Sequence, residues 1–412
     1  MSASLVGSEM CIRDRHYMRY NFDVVTDRWN TNAVKYDEAE KKFGRKDLIP
    51  LWIADMDLPT AQPIIDAMAK RNAQGIFGYT SRPDSYFESV REWQEKRNGW
   101  SFDPKLASFC PGVVPALATM VREFTNEGDT ILFFTPVYSE FFDITKDWGR
   151  IPLTVPLIQE QGEYGIDFDA FEQALQSGPS LFIFCHPHNP LGRVWTREEL
   201  EQIGNLCIRY GVPVISDEIH SDLMLWNYKH IPMASVSGDI AANTITCSSA
   251  TKTFNLAGLQ ASTIIFPDKA RKEIFDKFWH DLDVHRNNCF SVVAVETAFR
   301  EGEEWLEQVL LYIEGNMRYV KEYLETKIPE IQTYLPDSTY LMWLDCRHLD
   351  MTGDELVDFM INEARLGLND GRSFGAPDGY MRINVACPRC TLTDALARLE
   401  QAVEKRRKKE QA

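Results

Sequence analysis

A lysine beside hydroxyl residues lies directly after a short apolar segment in the middle of the chain. The segment covers residues 248–255 and contains Ser249, Thr251 and Lys252. A lysine in an apolar setting loses its proton more easily than a solvated one, and its amine can then form a Schiff base with an aldehyde cofactor. The Ser249 and Thr251 hydroxyls could hydrogen-bond a phosphate. Taken alone, the segment is better explained by a surface lysine that begins a helix.

An aspartate ends a second apolar segment, at Asp217 within residues 214–220. A carboxylate at the end of a buried strand needs a partner, because burying it unpaired is costly. A protonated pyridine nitrogen would be such a partner, and the ion pair would keep the ring an effective electron sink. A helix N-cap or a pair with a nearby arginine explains the residue equally well.

An asparagine lies between two prolines after a third apolar segment, at Asn189 between Pro187 and Pro190. Each proline restricts its predecessor to extended conformations, so the loop is stiff and the Asn189 amide could donate to a phenolate oxygen. His186 and His188 in the same loop suggest a metal, but without further clustered ligands a structural role in the loop is favoured.

A possible phosphate site and a possible stacking residue come earlier in the chain. Gly112, Val113 and Val114 open an apolar helix that is predicted to run to about Phe124, and free N–H groups at a helix start bind anions. Tyr138 follows the first strand and could stack on a ring, with a buried core tyrosine as the competing explanation.

The elements that must position these residues are short apolar strands alternating with helical patterns between about residues 105 and 270. Such alternation predicts βαβ units and a mostly parallel sheet flanked by helices, an α/β fold. Open α/β sheets bind ligands at the carboxyl ends of their strands, and Tyr138, Asn189, Asp217 and Lys252 each follow a different strand. The predicted strands are 131–134, 181–184, 212–215, 244–247 and 262–266.

The chain is predicted to divide into a large domain and a smaller α+β domain. Residues 1–17 have no periodic apolar pattern and are interpreted as a non-native appendage, with Met18 as the natural start. Residues 18–50 are expected to join the small domain, 51–285 to form the large cofactor-binding domain, and 286–412 to form the small domain. The helical patterns within this last part cover about 291–327, 353–365 and 391–408, with strands near 340–345 and 380–385.

Composition excludes several classes of function. The 412 residues carry 44 basic and 61 acidic side chains, a net charge of −17, which argues against binding to nucleic acid. No apolar stretch approaches the ~20 residues that a membrane helix needs. The nine cysteines favour reduced thiols and a cytoplasmic location. The single C-x-x-C pair, Cys387 and Cys390, has no second such pair to complete a zinc site, so no metal is expected.

Together these motifs resemble the fold-type I enzymes that depend on pyridoxal phosphate, and among them the MalY/PatB family of cystathionine β-lyases, or C–S lyases. The likeness extends from about Met18 to the last helix. It rests on residues 52–57, 77–80, 189–192, 217–220, 250–255 and 382–384.

The resemblance implies roles that the residues alone do not. Lys252 becomes the Schiff-base lysine, Asp217 the partner of the pyridine nitrogen, Asn189 the phenolate contact and Tyr138 the stacking ring. The remaining cofactor contacts implied are Gly112, Val113, Val114, His220, Ser249 and Thr251, with Tyr79 reaching the phosphate from the second subunit of a homodimer. Arg382 is implied to bind the substrate α-carboxylate through a bidentate contact, with Ala54 also at the substrate.

Two positions depart from the broader aminotransferase pattern. His220 stands where those enzymes often have tyrosine, and Gln260 where they often have arginine. Both differences favour the lyase branch and leave some phosphate and phenolate contacts unassigned.

The expected activity is β-elimination on L-cystathionine or a related cysteine S-conjugate, giving pyruvate, ammonia and a thiol. Lys252 would act as the general base. The first alternative is an aminotransferase of class I/II, which would use the same residues. The second is a regulatory protein that keeps pyridoxal phosphate but acts through a protein partner.

Overall fold

The computed structural model describes residues 20–160 and 163–410. The proposed appendage of residues 1–17 and the proposed start at Met18 lie outside the described residues.

The strands of the described chain form one large sheet, one smaller sheet and two short pairs. In chain order they are β1 Ile49–Pro50, β2 Ala107–Cys110, β3 Thr130–Thr135, β4 Ile151–Pro156, β5 Ile158–Glu160, β6 Glu163–Gly165, β7 Leu181–Cys185, β8 Val214–Asp217, β9 Thr244–Ser248, β10 Ser262–Ile265, β11 Gln332–Thr333, β12 Leu341–Asp345, β13 Leu366–Gly367, β14 Asn369–Asp370 and β15 Tyr380–Asn384.

The α-helices lie on both sides of the large sheet and beside the smaller one. They are α1 Val34–Asp37, α2 Ala39–Phe43, α3 Gln62–Ala73, α4 Asp84–Asn98, α5 Val113–Phe124, α6 Glu140–Asp147, α7 Phe168–Gln176, α8 Arg197–Arg209, α9 Gly238–Ala242, α10 Ala250–Thr253, α11 Lys269–Asp281, α12 Cys289–Glu301, α13 Glu303–Lys327, α14 Gly353–Asp358 and α15 Arg389–Glu410. A π-helical turn, Phe359–Glu363, continues α14.

The large sheet has seven strands in the order β2-β10-β9-β8-β7-β3-β4. Neighbouring strands from β9 to β4 are parallel, and β10 is antiparallel to both β9 and β2. The five predicted strands are therefore all present and the predicted α/β fold is confirmed. The central strands β7, β8 and β9 are buried along their whole length, as expected for a sheet covered by helices on both faces.

Local sequence signals account for where several helices begin and end. A capping box begins α8: the Thr196 hydroxyl accepts from the Glu199 N–H, and the Glu199 carboxylate accepts from the Thr196 N–H. The helical pattern of residues 291–327 is two helices, α12 and α13, separated at Gly302. A Cβ at this position would overlap the Phe254 ring and the Ala298 carbonyl oxygen, so the close approach requires glycine.

The smaller sheet has four strands in the order β11-β12-β15-β14, all antiparallel. Its helices α13 and α15 pack against each other and bury Val309, Ile313 and Leu399 in a common core. None of the helices in the described part of the chain is both long and apolar enough to cross a membrane. The smaller sheet matters for function because β15 carries Arg382.

Candidate active site

A cavity of about 790 Å³ lies at the carboxyl ends of the large sheet, where it meets the smaller sheet. Strand register brings the cavity-lining segments together, since Cys185, Asp217 and Cys247 are consecutive partners across β7, β8 and β9. Most of the residues singled out from the sequence line this cavity: Ala54, Gly112, Val113, Val114, Tyr138, Asn189, Asp217, His220, Thr251, Lys252 and Arg382.

Lys252 projects into the cavity from the short helix α10. Ser249 caps this helix, because its hydroxyl oxygen accepts from the Thr251 N–H at 3.1 Å. The Lys252 Nζ donates to the Ala54 carbonyl oxygen at 2.8 Å. Burial lowers the pKa of the Lys252 ammonium to about 8; the positive charge of Arg382 acts in the same direction, and the carboxylates of Asp55 and Asp217 oppose it. The amine is therefore available for proton transfer near neutral pH.

Asp217 ends β8 with its carboxylate at the cavity wall. Its Oδ1 accepts from the Ile219 N–H at 3.2 Å, and it makes no ion pair with any residue that the structure describes. Burial raises the pKa of Asp217 to about 7, and the neighbouring Glu218 adds to the shift, while the Ile219 N–H and the Lys252 charge oppose it. A cation placed in the cavity would satisfy this buried carboxylate.

Arg382 reaches the cavity from β15. Its Nη1 donates to Asn189 Oδ1 at 3.0 Å, and its Nη2 donates to the Trp52 carbonyl oxygen and to Asn369 Oδ1, both at 2.9 Å. The guanidinium also lies 4.7 Å from the centre of the Phe374 ring. The Nε–H is buried and has no partner among the described residues. An anion in the cavity would satisfy this donor.

Three further polar side chains face the same space. Asn189 is buried, and its Oδ1 accepts a hydrogen bond from Arg382 Nη1. Its Nδ2 amide group therefore remains available as a donor. Burial raises the pKa of Tyr138 to about 12, which keeps its hydroxyl neutral. Burial lowers the pKa of His220 to about 3, and the charges of Lys252 and Arg382 act in the same direction. The His220 ring is therefore neutral, and its buried Nδ1 is unpartnered within the described residues.

Two residues proposed for the site do not line the cavity. The Ser249 hydroxyl lies 2.7 Å from the Thr251 hydroxyl and donates to the Ala261 carbonyl oxygen, also at 2.7 Å. Ser249 therefore holds Thr251 in place through its hydroxyl, and Thr251 does line the cavity. Tyr79 is 97% exposed in the single chain, with the Arg286 guanidinium 5.6 Å from the centre of its ring. Gln260 is exposed as well and lies outside the cavity lining.

The loop of residues 52–58 is held in place by two asparagines whose roles the sequence did not reveal. Asn384 Nδ2 donates to the Ile53 and Asp55 carbonyl oxygens at 2.7 and 2.6 Å. Asn255 Nδ2 donates to the Met56 and Leu58 carbonyl oxygens at 2.9 and 3.0 Å. Both asparagines belong to motifs quoted above, at 382–384 and 250–255. The loop carries the Ala54 carbonyl oxygen, so these contacts fix the acceptor that Lys252 meets.

The sequence also did not reveal the role of Tyr340. Its hydroxyl donates to the same Ala54 carbonyl oxygen at 2.9 Å. A tyrosine at the start of a predicted strand carries no signal that distinguishes this contact from ordinary packing.

The cavity groups fit a phosphorylated pyridine aldehyde. A buried carboxylate without a cation partner suits a protonated ring nitrogen, and a lysine of lowered pKa suits the aldehyde. The start of α5, with Gly112 as its N-cap, presents backbone N–H groups to the cavity, and such groups favour a phosphate. No set of three or more His, Cys, Asp or Glu side chains arranged to hold a metal occurs among the described residues.

Residues 46–399 match the family described as aminotransferase class I and II. The chain belongs to this family. Within it, the chain is 41% identical over 386 residues to cystathionine beta-lyase PatB of Bacillus subtilis, covering 93% of this chain and 100% of that protein. It is 30% identical over 389 residues to protein MalY of Escherichia coli, covering 93% and 99%. The suspected MalY/PatB relationship is confirmed.

A solved structure shares this fold over nearly the whole chain. Cystalysin from Treponema denticola, whose crystal structure contains pyridoxal 5'-phosphate, superposes with a TM-score of 0.91 at 33% identity. The match covers 94% of this chain and 100% of cystalysin. The family assignment therefore extends over both sheets that form the cavity.

Proposed function

We propose that this protein is a pyridoxal phosphate-dependent carbon–sulfur lyase that acts by β-elimination on L-cystathionine or related cysteine S-conjugates. The products are pyruvate, ammonia and a thiol. The observation that carries the proposal is the cavity itself, in which Lys252, Asp217 and Arg382 face one space with unmet polar groups. The name of PatB as a cystathionine beta-lyase, at 41% identity over its full length, supports elimination over amino-group transfer.

The cavity residues divide into those that hold the cofactor and those that hold the substrate. Asp217 would pair with the ring nitrogen, the Asn189 amide would donate to the phenolate oxygen, and Tyr138 would contact the ring. The backbone of Gly112, Val113 and Val114 would bind the phosphate together with Thr251, which Ser249 holds in place. His220 would contact the cofactor as a neutral ring.

Substrate binding relies on the partly satisfied guanidinium of Arg382. Its Nε–H, which has no partner among the described residues, would bind the α-carboxylate, and Asn189, Asn369 and the Trp52 carbonyl oxygen hold the guanidinium in orientation. Ala54 lies beside the substrate amine, since its carbonyl oxygen already accepts from the Lys252 amine. Both contacts direct the substrate α-carbon toward Lys252.

Proton transfer at the α-carbon falls to Lys252. When bound, pyridoxal phosphate supplies a ring that withdraws electrons from the substrate α-carbon. The Lys252 amine, with a pKa of about 8, takes the α-proton as general base. Asp217, whose pKa burial raises to about 7, would be ionised beside a protonated ring nitrogen, because the two opposite charges stabilise each other.

The active assembly is a homodimer in this proposal. Tyr79 is almost fully exposed, and the nearby Ile76 and Phe77 are exposed as well. A second copy of the chain would bury this apolar surface and bring Tyr79 to the phosphate of the neighbouring subunit. All cysteines among the described residues are free, which is consistent with a cytoplasmic enzyme.

Pyruvate release from L-cystathionine by the purified, cofactor-loaded protein, with and without an added 2-oxo acid, tests the proposed reaction. Pyruvate without an acceptor is the expected result. Amino-group transfer that requires the 2-oxo acid, with no pyruvate in its absence, would contradict elimination and establish the aminotransferase alternative.

A further inference from the structure

The loop that carries the Ala54 carbonyl oxygen follows the two-residue strand β1 and contains neither helix nor strand. Its carbonyl oxygens accept hydrogen bonds from side chains. That of Trp52 accepts from Arg382, and that of Ala54 accepts from Lys252. Both contacts belong to the proposed active site. Whatever fixes this loop therefore also fixes the surroundings of two functional side chains.

Two cations of the N-terminal segment contact the loop. The side chain of Lys35, in α1, is completely buried, and its Nζ lies 2.7 Å from Asp57 Oδ2 and 3.5 Å from Asp55 Oδ1. Arg28 is half-buried; its Nη2 donates to Asp55 Oδ2 at 2.8 Å, and its Nη1 donates to Asp57 Oδ1 at 2.6 Å. The four side chains form a closed network of two cations and two carboxylates.

Lys35 also contacts the beginning of the loop through its backbone. Its carbonyl oxygen accepts from Trp52 Nε1 at 3.0 Å, and the Trp52 carbonyl oxygen in turn accepts from Arg382 at 2.9 Å. A single residue of the N-terminal segment therefore contacts the loop on both sides of Ala54, at Trp52 through its backbone and at Asp57 through its ammonium.

The network lies outside the cavity, because Arg28, Lys35, Asp55 and Asp57 are absent from its lining. Burial of an ion pair costs desolvation, and an apolar pair of similar volume is often equally stable. The network is therefore a weak source of stability. Charged side chains supply something that apolar ones cannot, which is directional hydrogen bonds to a loop whose carbonyl oxygens are held by side chains.

We propose that Lys35 is a positioning residue for the proposed reaction and that Arg28 assists it. Together they fix the loop so that the carbonyl oxygens of Trp52 and Ala54 meet their partners in the cavity. The inference rests on the proposed function and adds to it residues that act through others. A displaced acceptor would leave the Lys252 amine misaligned with the α-carbon, and a misplacement of about 1 Å can lower a rate by about 100-fold.

Exchange of the α-proton of L-alanine in deuterated water measures proton transfer by itself. L-Alanine has no leaving group on its β-carbon, so elimination does not follow, and proton NMR gives kcat for the exchange by the cofactor-loaded protein. The dissociation constant of pyridoxal phosphate and the free energy of unfolding are measured on the same samples. They separate an effect on positioning from an effect on cofactor binding or stability.

Lys35→Met combined with Asp57→Asn removes the buried pair without leaving either charge uncompensated. The kcat for exchange should fall by about tenfold to 100-fold. The dissociation constant of pyridoxal phosphate should stay close to the wild-type value, because Asp217 and the start of α5 are unchanged. Arg28→Met keeps the Lys35–Asp57 pair and should lower kcat by a smaller factor, and it tests the same loop if the double variant does not fold.

Arg407→Met combined with Glu330→Gln is the matched control. This ion pair, at 2.6 Å, joins α15 to the segment that follows α13, and neither residue lines the cavity. The control should leave kcat for exchange unchanged. A role in stability alone would lower the free energy of unfolding of the loop variants without changing kcat of the folded, cofactor-saturated protein. Unchanged kcat in every loop variant that folds, or an equal fall in the control, would overturn the positioning role.

Failure of the proposed function gives a different result. Wild-type protein that exchanges the α-proton of L-alanine but releases no pyruvate from L-cystathionine would overturn elimination, and the exchange rates of the variants would still decide the role of Lys35. Wild-type protein that exchanges no α-proton would overturn the proposed function and the positioning role with it.

Discussion

Two consecutive carboxylates at the carboxyl end of β8, Asp217 as its last residue and Glu218 directly after it, have opposite surroundings. Successive side chains of a strand point to opposite faces of the sheet, so Asp217 faces the cavity and Glu218 faces the packed interior. Both are buried, and burial raises the pKa of each to about 7. Their partners differ completely.

Glu218 is satisfied by the protein. Its Oε1 accepts from the Ser216 hydroxyl at 2.8 Å and from the Met233 N–H at 3.0 Å, and its Oε2 lies 2.8 Å from His230 Nε2. Burial lowers the pKa of His230 to about 3, so a neutral imidazole meets the carboxylate. Asp217 accepts a single backbone hydrogen bond, from Ile219.

This contrast distinguishes a structural carboxylate from a functional one. Folding has provided Glu218 with several hydrogen-bond partners, whereas among the described residues Asp217 accepts only from the Ile219 N–H. The Arg382 Nε–H in the same cavity has no partner among the described residues. Buried charged groups whose hydrogen bonding is incomplete therefore mark the site, and the following experiments alter groups inside and outside it.

The largest effect is expected from Lys252→Ala. Removal of the general base alone should lower kcat by about 10²–10⁴-fold, and the visible absorbance of lysine-bound cofactor should disappear. Steady-state pyruvate assays and absorbance spectra of the purified variant measure both. Near-wild-type turnover by this variant would mean that another group moves the α-proton.

Asp217→Asn should weaken cofactor binding by about 30-fold or more, because truncating one member of a buried charge pair costs about 2–5 kcal/mol. The dissociation constant of pyridoxal phosphate, measured by titration of the apoprotein, reports this directly. Glu218→Gln is the matched comparison on the opposite face and should change the affinity by only a few-fold. Equal losses in the two variants would remove the distinction between them.

The pH dependence of apoprotein stability tests the raised pKa of Asp217 without cofactor. Because the pKa of Asp217 is raised from 3.8 to about 7 on folding, the unfolded chain releases this proton first. Stability due to the protonated carboxyl is present below about pH 4 and is lost as pH rises to about 7. Asp217→Asn avoids the loss and should make the apoprotein more stable than wild type by about 4 kcal/mol at pH 8.

Denaturant unfolding of both apoproteins between pH 4 and pH 8 checks this expectation. The stability difference should be near zero at pH 4 and grow to a plateau above pH 7. A difference that does not depend on pH would show that Asp217 does not titrate in the folded apoprotein as described.

A smaller net effect is expected from Glu218→Gln, because two contributions oppose each other. The substitution puts an amide nitrogen where one carboxylate oxygen now accepts, so one buried donor of Ser216, His230 or Met233 loses its partner, which costs about 1–3 kcal/mol. It also removes a carboxyl whose pKa is raised from 4.5 to about 7 on folding, which contributes about 3 kcal/mol of stability at pH 8. Denaturant unfolding of the apoprotein at pH 8 should therefore show a smaller gain than Asp217→Asn does, and an equal gain would indicate that the network around Glu218 is dispensable.

The sequence predicted the strands of the large sheet and the edge at which the site lies, because buried parallel strands are continuous apolar runs and their polar ends stand out. Tyr138, Asn189, Asp217 and Lys252 were found in this way. Arg382 and Tyr79 followed only from the family resemblance. In periodicity alone, Arg382 is an ordinary strand residue and Tyr79 a loop aromatic.

Other features depended on contacts between distant parts of the chain. Asn255 and Asn384 both donate to carbonyl oxygens of the loop of residues 52–58. Tyr340 and Lys252 both donate to the carbonyl oxygen of Ala54. No local pattern encodes such convergence. Arg28 and Lys35 look like charges of a solvated segment until the fold brings them to the same loop. The assigned domain boundaries and the roles of individual site residues remain predictions.

Chemical trapping of the cofactor on the protein tests the central claim most directly. The cofactor-loaded protein is reduced with borohydride, digested and analysed by mass spectrometry. The account predicts a phosphopyridoxyl group on Lys252 and on no other lysine at stoichiometric yield, with the label lost in Lys252→Ala. Stoichiometric label on a different lysine, or none in a protein that binds the cofactor, would contradict the assignment of this cavity as the active site.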